Sequence, residues 1–328
     1  MQASTDILYS DGRIDLAPLK ELIERNQEAA FGKFIGDHNL TKEYLSTYLS
    51  EKFNARLSKG EAIAETLWEK GTGRTVGVVA AEEVKWDTEH FGSKMAKITF
   101  AVFDEKVEHD QRKDAIRRIA KRIKAEMLSA RVNLADLKTI QALESMAAIL
   151  TDVLLTYRFD FANRLPSGYL PKTNIGPVKA EEADEIARLG SVIFTIDRFH
   201  GDPNLSTSKS SELYSKWVLN SVKGLADAVL VARDGDEVAG FITCKIEQLG
   251  SSYKSGIIDL VGVRPSFAGL GIGRALVQSA LKWFSGMVPS VYVGTQAANT
   301  RAVRLYEGSR FTHSCSEATL HLWSSSHA

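Results

Sequence analysis

Apolar residues at helical spacing open the chain: Leu16, Leu19, Leu22 and Ile23, then Tyr44, Leu45, Tyr48 and Phe53, predict amphipathic helices over 15–32 and 41–57. The alternating runs EAIAETLW and RTVGVVAAEEV flank the turn EKGTG and predict a strand pair, with KMAKITFAVF as a third strand. From Asp110 to Ala130, Ile116, Ile119, Ala120, Ile123 and Met127 fall in step and predict one long helix. VNLADL, a short helix around Gln141 to Ala147 and the apolar run ILTDVLLTYRFDF follow.

The second half repeats this order. Helices over 181–194 and 210–222 precede the hairpin AVLVARDGDEVAGFITCKI, turning at Asp234 to Asp236. The strand SGIIDLVGV, a glycine-rich loop, a helix over 272–285, the strand SVYVGT, a short helix from Asn299 and the strand EATLHLW complete it. Each half reads helix, helix, hairpin, strand, helix, strand, helix, strand, the signature of a duplicated fold. Only the second copy carries the glycine loop.

Length and composition add limits. A chain of 328 residues is long for one core. PSGYLPKTNIGP reads as a linker over 166–177, separating a domain over 1–165 from one over 178–328. The 41 basic and 41 acidic residues balance, so nothing points to nucleic acid or a membrane surface. No apolar run approaches the roughly 18 residues of a membrane span. MQASTDILYSDGR has neither a basic leader nor an apolar stretch, and a cytoplasmic protein is expected. Cys244 and Cys315 are isolated, and the seven histidines show no HxxxH spacing, so neither a disulfide framework nor a metal site is expected. A homodimer is left open.

In VRPSFAGLGIGRALV, three alternate glycines, Gly269, Gly271 and Gly273, stand between an apolar strand and an apolar helix. A glycine turn before a helix makes an anion site, because free backbone N–H groups and the helix dipole converge there. The dinucleotide fingerprint needs GxGxxG and a later acid, but the spacing here is GxGxG and SVYVGT carries no acid. A Walker loop needs Gly-Lys-Ser/Thr, and Gly273 is followed by Arg274 and Ala275.

Val263, Arg264 and Pro265 followed by AGLGIG resemble the cofactor motif of the GNAT acetyltransferases, Gln/Arg-x-x-Gly-x-Gly/Ala after a Val-Arg-Pro-like strand end. NTRAVRLYEGSRF resembles the later segment of that family, Asn-x-x-Ala-x-x-Leu-Tyr-x-x-x-Gly-Phe, with Asn299, Ala302, Leu305, Tyr306 and Phe311 in place. Two positions depart: Ala268 stands where the family has Gln or Arg, and Arg310 where it has the last glycine. The first removes a side-chain contact and implies weaker cofactor binding; the second implies an altered turn, with Gly308 as the flexible position. TQAANTRAVRLY, SVIFTIDRFHGDP, LYSKWVLNSV and WDTEHFG further resemble the bacterial dTDP-fucosamine acetyltransferases, from about residue 78 onward with gaps.

The resemblance implies an α/β fold (α+β, mixed sheet) of two tandem GNAT-like domains, the first degenerate. It also implies acetyl-CoA as co-substrate and direct attack of an amine on its thioester. Val261, Val263, Ala268, Gly269, Leu270, Gly271, Ile272, Gly273, Arg274, Asn299, Arg301 and Ala302 would line the cofactor, with the amides of Leu270 to Arg274 on its pyrophosphate. The acceptor would be a small-molecule amine, such as that of a dTDP-amino sugar. An amino acid, polyamine or aminoglycoside acceptor, or a module that binds acyl-CoA without catalysis, stays open. DEKVEHDQRKDAIRR replaces the glycine loop in the first half, which is expected to bind no CoA and to buttress the sheet or close the acceptor site.

Acyl transfer to an amine needs an uncharged amine, a stabilised oxyanion and a proton for the leaving thiolate. Tyr306 matches the family's tyrosine near the sulfur and would be the general acid; aromatic packing beside Leu305 is its other reading. Asn299 matches the asparagine on the pantetheine arm and equally suits a helix cap. Asp259, in IIDLVGV, is a candidate base or amine-orienting group, or a salt-bridge partner. Gly262 would permit a strand irregularity that aims a backbone N–H at the thioester carbonyl. For the acceptor, Arg198 suits a phosphate or a surface ion pair. Tyr214 and Trp217 suit ring stacking or core packing, and His200 reads as a substrate-side residue or a satisfied loop histidine.

Overall fold

A computed structural model describes residues 7–11, 15–162 and 174–324. The chain forms two compact units, one of Met1–Val153 with Cys315–Ala328, the other of Leu154–Ser314.

The first unit contains β1 (Ile7–Asp11), α1 (Leu16–Arg25), α2 (Gln27–Phe31), α3 (Lys42–Ser58), β2 (Ile63–Glu69), β3 (Thr75–Glu83), α4 (Lys85–Phe91), β4 (Met95–Phe103), α5 (His109–Ile123), β5 (Met127–Asn133), α6 (Leu137–Glu144) and the start of β6 (Ile149–Asp160). The second contains the rest of β6, then β7 (Asn174–Pro177), α7 (Ala183–Ile193), α8 (Thr207–Asn220), β8 (Ala228–Asp234), β9 (Glu237–Leu249), β10 (Tyr253–Val263), α9 (Ile272–Phe284), β11 (Ser290–Gln296), α10 (Thr300–Gly308) and the first residues of β12 (Thr312–Trp323). The expected repeat of elements is present in both.

The division corrects the sequential boundary expected near 165–177. It falls inside β6, and the chain returns to the first unit at Cys315 within β12. The first unit has the strand order β1-β2-β3-β4-β5-β12, where Glu317–Trp323 lie antiparallel to Asn133–Met127. The second has β6-β11-β10-β9-β8-β7, where Leu154–Asp160 lie antiparallel to Gln296–Ser290. Each unit therefore completes its sheet with a strand from the other half of the chain. Of the expected linker, the last four residues are β7 and the others lie outside the described residues.

The helix expected from Asp110 to Ala130 ends at Ile123. Lys124 turns left-handed, φ 51°, with its N–H on the Ala120 carbonyl, and Met127, Leu128, Ala130 and Val132 enter the sheet as buried positions of β5. A short apolar run satisfies both periods, and here strand pairing on two sides decides between them.

Both units share one irregularity. Parallel β4 and β5 pair only over Met95–Lys97 with Met127–Ser129, and parallel β10 and β11 only over Gly256–Ile258 with Val291–Val293. In each, the register with the preceding antiparallel strand shifts directly afterwards. The second unit's core packs Leu276, Ala280 and Phe284 of α9 onto Ile242, Ile258, Val291 and Val293. The first packs Ala115, Ile116 and Ile119 of α5 onto Val79, Ala96, Leu128 and Leu320. Among the described residues, no helix is long and apolar enough to cross a membrane.

Candidate functional site

The glycine loop leaves β10 at Val263 and enters α9 at Ile272. Gly269 and Gly271 have φ of 81° and 82°, values a side chain resists, which explains two of the three glycines. Gly271 caps α9, and the first helical hydrogen bond runs from Ala275 N–H to its carbonyl. The amides of Ile272 and Gly273 thus belong to the first turn, whose N–H groups lie ahead of the first helical hydrogen bond. Gly273 has another reason: a Cβ there would lie 3.3 Å from Leu305 Cδ2 and 3.6 Å from Val263 Cγ2. Its bareness brings α9 against α10. Leu270 and Arg274 are exposed, and Arg264 anchors the strand end through Val238 O at 2.8 Å and Glu185 at 2.5 Å.

Beyond Ile258, β10 and β11 share no registered pair, so the β11-facing edge of β10 from Asp259 to Val263 lies outside a ladder. Two residues, Asp259 and Leu260, oppose Thr243 alone, and this bulge is the strand irregularity. It does not sit at Gly262, which pairs in register with Phe241. A methyl group at 262 would collide with Ile193 Cδ1 and lie 2.8 Å from Phe241 Cε1, so this glycine serves the packing of α7 on the sheet. The bulged Leu260 N–H is taken by the buried Thr243 hydroxyl at 3.0 Å, a residue that sequence reasoning missed. Asp259 is half-buried at the bulge. With burial as the larger cause, its charge and that of Asp227 push the Cys244 thiol up to about 12.

Tyr306 lies on α10 beside Leu305, 4% exposed, with ring centroids 6.1 Å from Tyr157 and 5.9 Å from Phe311. Burial pushes its phenol well above the ordinary tyrosine value. Asn299 caps α10, its side-chain oxygen accepting from Ala302 N–H at 3.2 Å. Ala302 is half-buried and Arg301 exposed. After α10, Arg310 adopts φ 69°, a left-handed conformation that favours glycine, while Gly308, the flexible position expected, does not have a positive φ.

On the other side of the unit, Tyr214 is buried, stacked on Phe194 at 4.9 Å and on Trp217 at 5.9 Å. Trp217 is half-buried. His200 is held on both nitrogens: Nδ1 is 2.5 Å from Asp197 Oδ2 and Nε2 is 3.2 Å from Ser211 Oγ. Neither Asp197 nor Ser211 was singled out from sequence, because Ser211 lies eleven residues beyond His200 in another element. Arg198 is half-buried, its guanidinium 4.2 Å from the Phe199 ring centroid. Phe194 packs edge-on against Phe241, whose ring reaches Gly262 of β10.

The corresponding place in the first unit is filled by protein. Glu108 and Gln111 form a capping box at the start of α5. The buried Arg112 guanidinium binds the Val107 carbonyl at 2.9 Å, the Thr139 hydroxyl at 2.9 Å and the Asp136 carboxylate that caps α6. The chain thus caps the start of α5 with its own side chains, whereas Gly271 caps α9 with backbone alone. Among the described residues, no group of three or more His, Cys, Asp or Glu side chains is placed to hold a metal ion.

Residues 196–310, which run from the loop after α7 through the glycine turn to Arg310, match the model of the Acetyltransferase (GNAT) family. That segment is similar to GNAT acetyltransferase domains. Over the whole chain the fold is that of GNAT proteins. It resembles a GCN5-related N-acetyltransferase from Sphaerobacter thermophilus at a TM-score of 0.59 and 14% identity, covering 95% of each chain. It also resembles a tandem GNAT protein from the clavulanic acid biosynthesis pathway at a TM-score of 0.52 and 11% identity, covering 96% of this chain and 98% of that one. Among curated proteins, it is 31% identical over 164 residues to the spore coat polysaccharide biosynthesis protein SpsD of Bacillus subtilis (strain 168), 48% of this chain and 55% of SpsD. The chain spans about half the length of that relative.

Proposed function

We propose that the second unit is an acetyl-CoA-dependent N-acetyltransferase whose acceptor is the amine of a nucleotide-linked amino sugar, with dTDP-4-amino sugars as the first candidates. The carrying observation is the meeting of two features: the glycine turn with its first-turn amides, and the departure of β10 from β11 after three residue pairs, joined where Val263, Gly273 and Leu305 touch. The parts fit the cofactor. The first-turn amides of Ile272 and Gly273 at a helix N-terminus suit a diphosphate, and a strand edge outside the β11 ladder suits an amide-bearing arm.

Bound acetyl-CoA supplies an acetyl group activated as a thioester. The amides of Leu270 to Arg274 hold its diphosphate, aided by Gly269 and Gly271, which keep side chains out of the turn. The edge of Val261 to Val263 receives the pantetheine amides, and Asn299, Arg301 and Ala302 flank the arm at the start of α10. Asp259, at the bulge, orients the acceptor amine and takes its proton at a carboxylate oxygen. Tyr306 keeps its proton and offers the hydroxyl as a hydrogen-bond donor toward the sulfur. Because burial makes the phenol a weaker acid than usual, this donation is a hydrogen bond more than a full transfer. Arg198 meets a nucleotide diphosphate, and Trp217 stacks on a ring.

A sugar acceptor is favoured by the likeness to SpsD, whose name places it in spore coat polysaccharide biosynthesis. The test is release of free thiol from acetyl-CoA with a panel of dTDP-4-amino-6-deoxy sugars, and turnover with one of them is expected. Turnover only with an amino acid, polyamine or aminoglycoside moves the acceptor assignment. Acyl-CoA binding without turnover, unaltered by Tyr306→Phe, indicates a binding module.

A further inference from the structure

Ser211, Tyr214 and Trp217 are three apart on α8 and share one stripe of the helix. The His200 ring lies over that stripe, 6.3 Å from the Tyr214 ring and 21° from parallel. The side chains of His200 and Asp197 are only 7% and 4% exposed. Three hydrogen bonds converge on Asp197: Oδ1 accepts the N–H of Phe199 at 2.8 Å and of His200 at 3.2 Å, and Oδ2 faces His200 Nδ1.

An ionised carboxylate only accepts, so the ring nitrogen facing it carries the proton. With the ring singly protonated at Nδ1, Nε2 offers a lone pair and the Ser211 hydroxyl, 3.2 Å away, is the donor. Helical serines elsewhere in this protein donate backward to the preceding turn: Ser50 to the Ser46 carbonyl, Ser210 to Ser206 and Ser221 to Trp217. The Ser211 proton goes instead to a histidine whose tautomer a buried carboxylate sets. Its oxygen keeps its lone pairs for a donor from outside the helix.

We infer that Asp197, His200 and Ser211 form a hydrogen-bond relay that makes Ser211 an acceptor-only contact and selects substrates presenting a hydroxyl or imide N–H beside the ring stacked on Trp217. Asp197 and His200 are positioning residues acting through Ser211. The stack from His200 through Tyr214 and Phe194 to Phe241 ties the relay to β10 just past the Asp259 bulge, so it serves the part of the acceptor remote from the reacting amine. This inference rests on the acetyltransferase reading of the second unit.

The variant Asp197→Asn separates a relay from simple packing. Its amide oxygen keeps both backbone hydrogen bonds, but its NH2 faces Nδ1, so the ring proton moves to Nε2 and Ser211 is turned from donor to acceptor toward the ring. Ring 15N spectra of histidine-labelled protein, with His200→Gln for assignment, are expected to place the proton on Nδ1 in the parent and on Nε2 in Asp197→Asn. With acetyl-CoA and dTDP-4-amino-4,6-dideoxygalactose, Asp197→Asn and Ser211→Ala are each expected to raise the acceptor KM about tenfold, leaving kcat and the acetyl-CoA KM within about twofold, while Ser211→Thr retains the parent value. An Nε2 proton in the parent overturns the relay, and so does an acceptor KM unmoved by both variants. Absence of turnover with every amine overturns the acetyltransferase reading instead; the relay's selection of substrates falls with it, and the ring proton alone then decides the hydrogen-bond order.

Discussion

A methyl group placed on Gly240 would sit 2.5 Å from the backbone oxygen of Gly262, on the neighbouring strand β10 next to the glycine turn. At Gly262 the obstacles are the side chains of Ile193 and Phe241, which can shift; at Gly240 the obstacle is backbone, which cannot move without displacing β10. Gly240→Ala is therefore expected to destabilise by about 3 kcal/mol and Gly262→Ala by about 1–2 kcal/mol. Urea midpoints in the reverse order would contradict this account of the two strands.

Arg310 holds a left-handed φ of 69° at an exposed turn. For a residue with a Cβ that conformation costs about 1 kcal/mol or more, which glycine avoids. Arg310→Gly is expected to raise Tm by about 2–4 °C, the gain being reduced by the greater freedom of glycine in the unfolded chain. A lower Tm would mean that the arginine side chain contributes more than its backbone costs.

Glu317, on β12 in the first unit, has its carboxyl held above the ordinary glutamate value of 4.5, chiefly by burial, with Arg131 and Lys33 opposing. The folded chain thus binds this proton to a higher pH than the unfolded chain does. Stability falls as pH rises through that interval and stays lowered above it. Glu317→Gln is expected to be more stable than the parent at pH 7–8, with the difference closing at about pH 4.5 and below; denaturation midpoints across pH would measure it.

Tyr306 should show itself by what does not titrate. Because burial raises its phenol above the ordinary value of 10, no basic limb of kcat/KM below about pH 10 belongs to it. Tyr306→Phe is expected to lower kcat about 10- to 100-fold with the acetyl-CoA KM little changed and the fold intact. Full activity in that variant would remove Tyr306 from the chemistry.

Strong periodicity and glycine chemistry were legible in the sequence. α9 begins and ends within a residue of its expected bounds, because Gly271 caps a run with one apolar face. β5 was misread because MLSARVN satisfies helical spacing as an extension of α5, and pairing on both sides is invisible locally. The bulge was assigned to Gly262 on the rule that glycine marks irregular strand, whereas a threonine hydroxyl stabilises it two residues earlier. The flexible position after α10 is expected at Gly308, whereas the left-handed φ falls on Arg310. On the acceptor side, residue types were legible but partners were not: Tyr214 is buried against Phe194 and Trp217, and the serine that completes the His200 pair lies eleven residues on, in α8.

The exchange of strands between the units has a consequence for how the protein can be made. Asn133 of β5 and its partner Glu317 of β12 are 184 positions apart (317 − 133). During synthesis the first unit must wait for nearly the whole second unit to leave the ribosome before its last strand arrives, with β5 meanwhile exposed as an unpaired edge. A nascent chain halted before Thr312 should accordingly stay protease-sensitive in its first unit, and neither half, cut at residue 165, should refold alone.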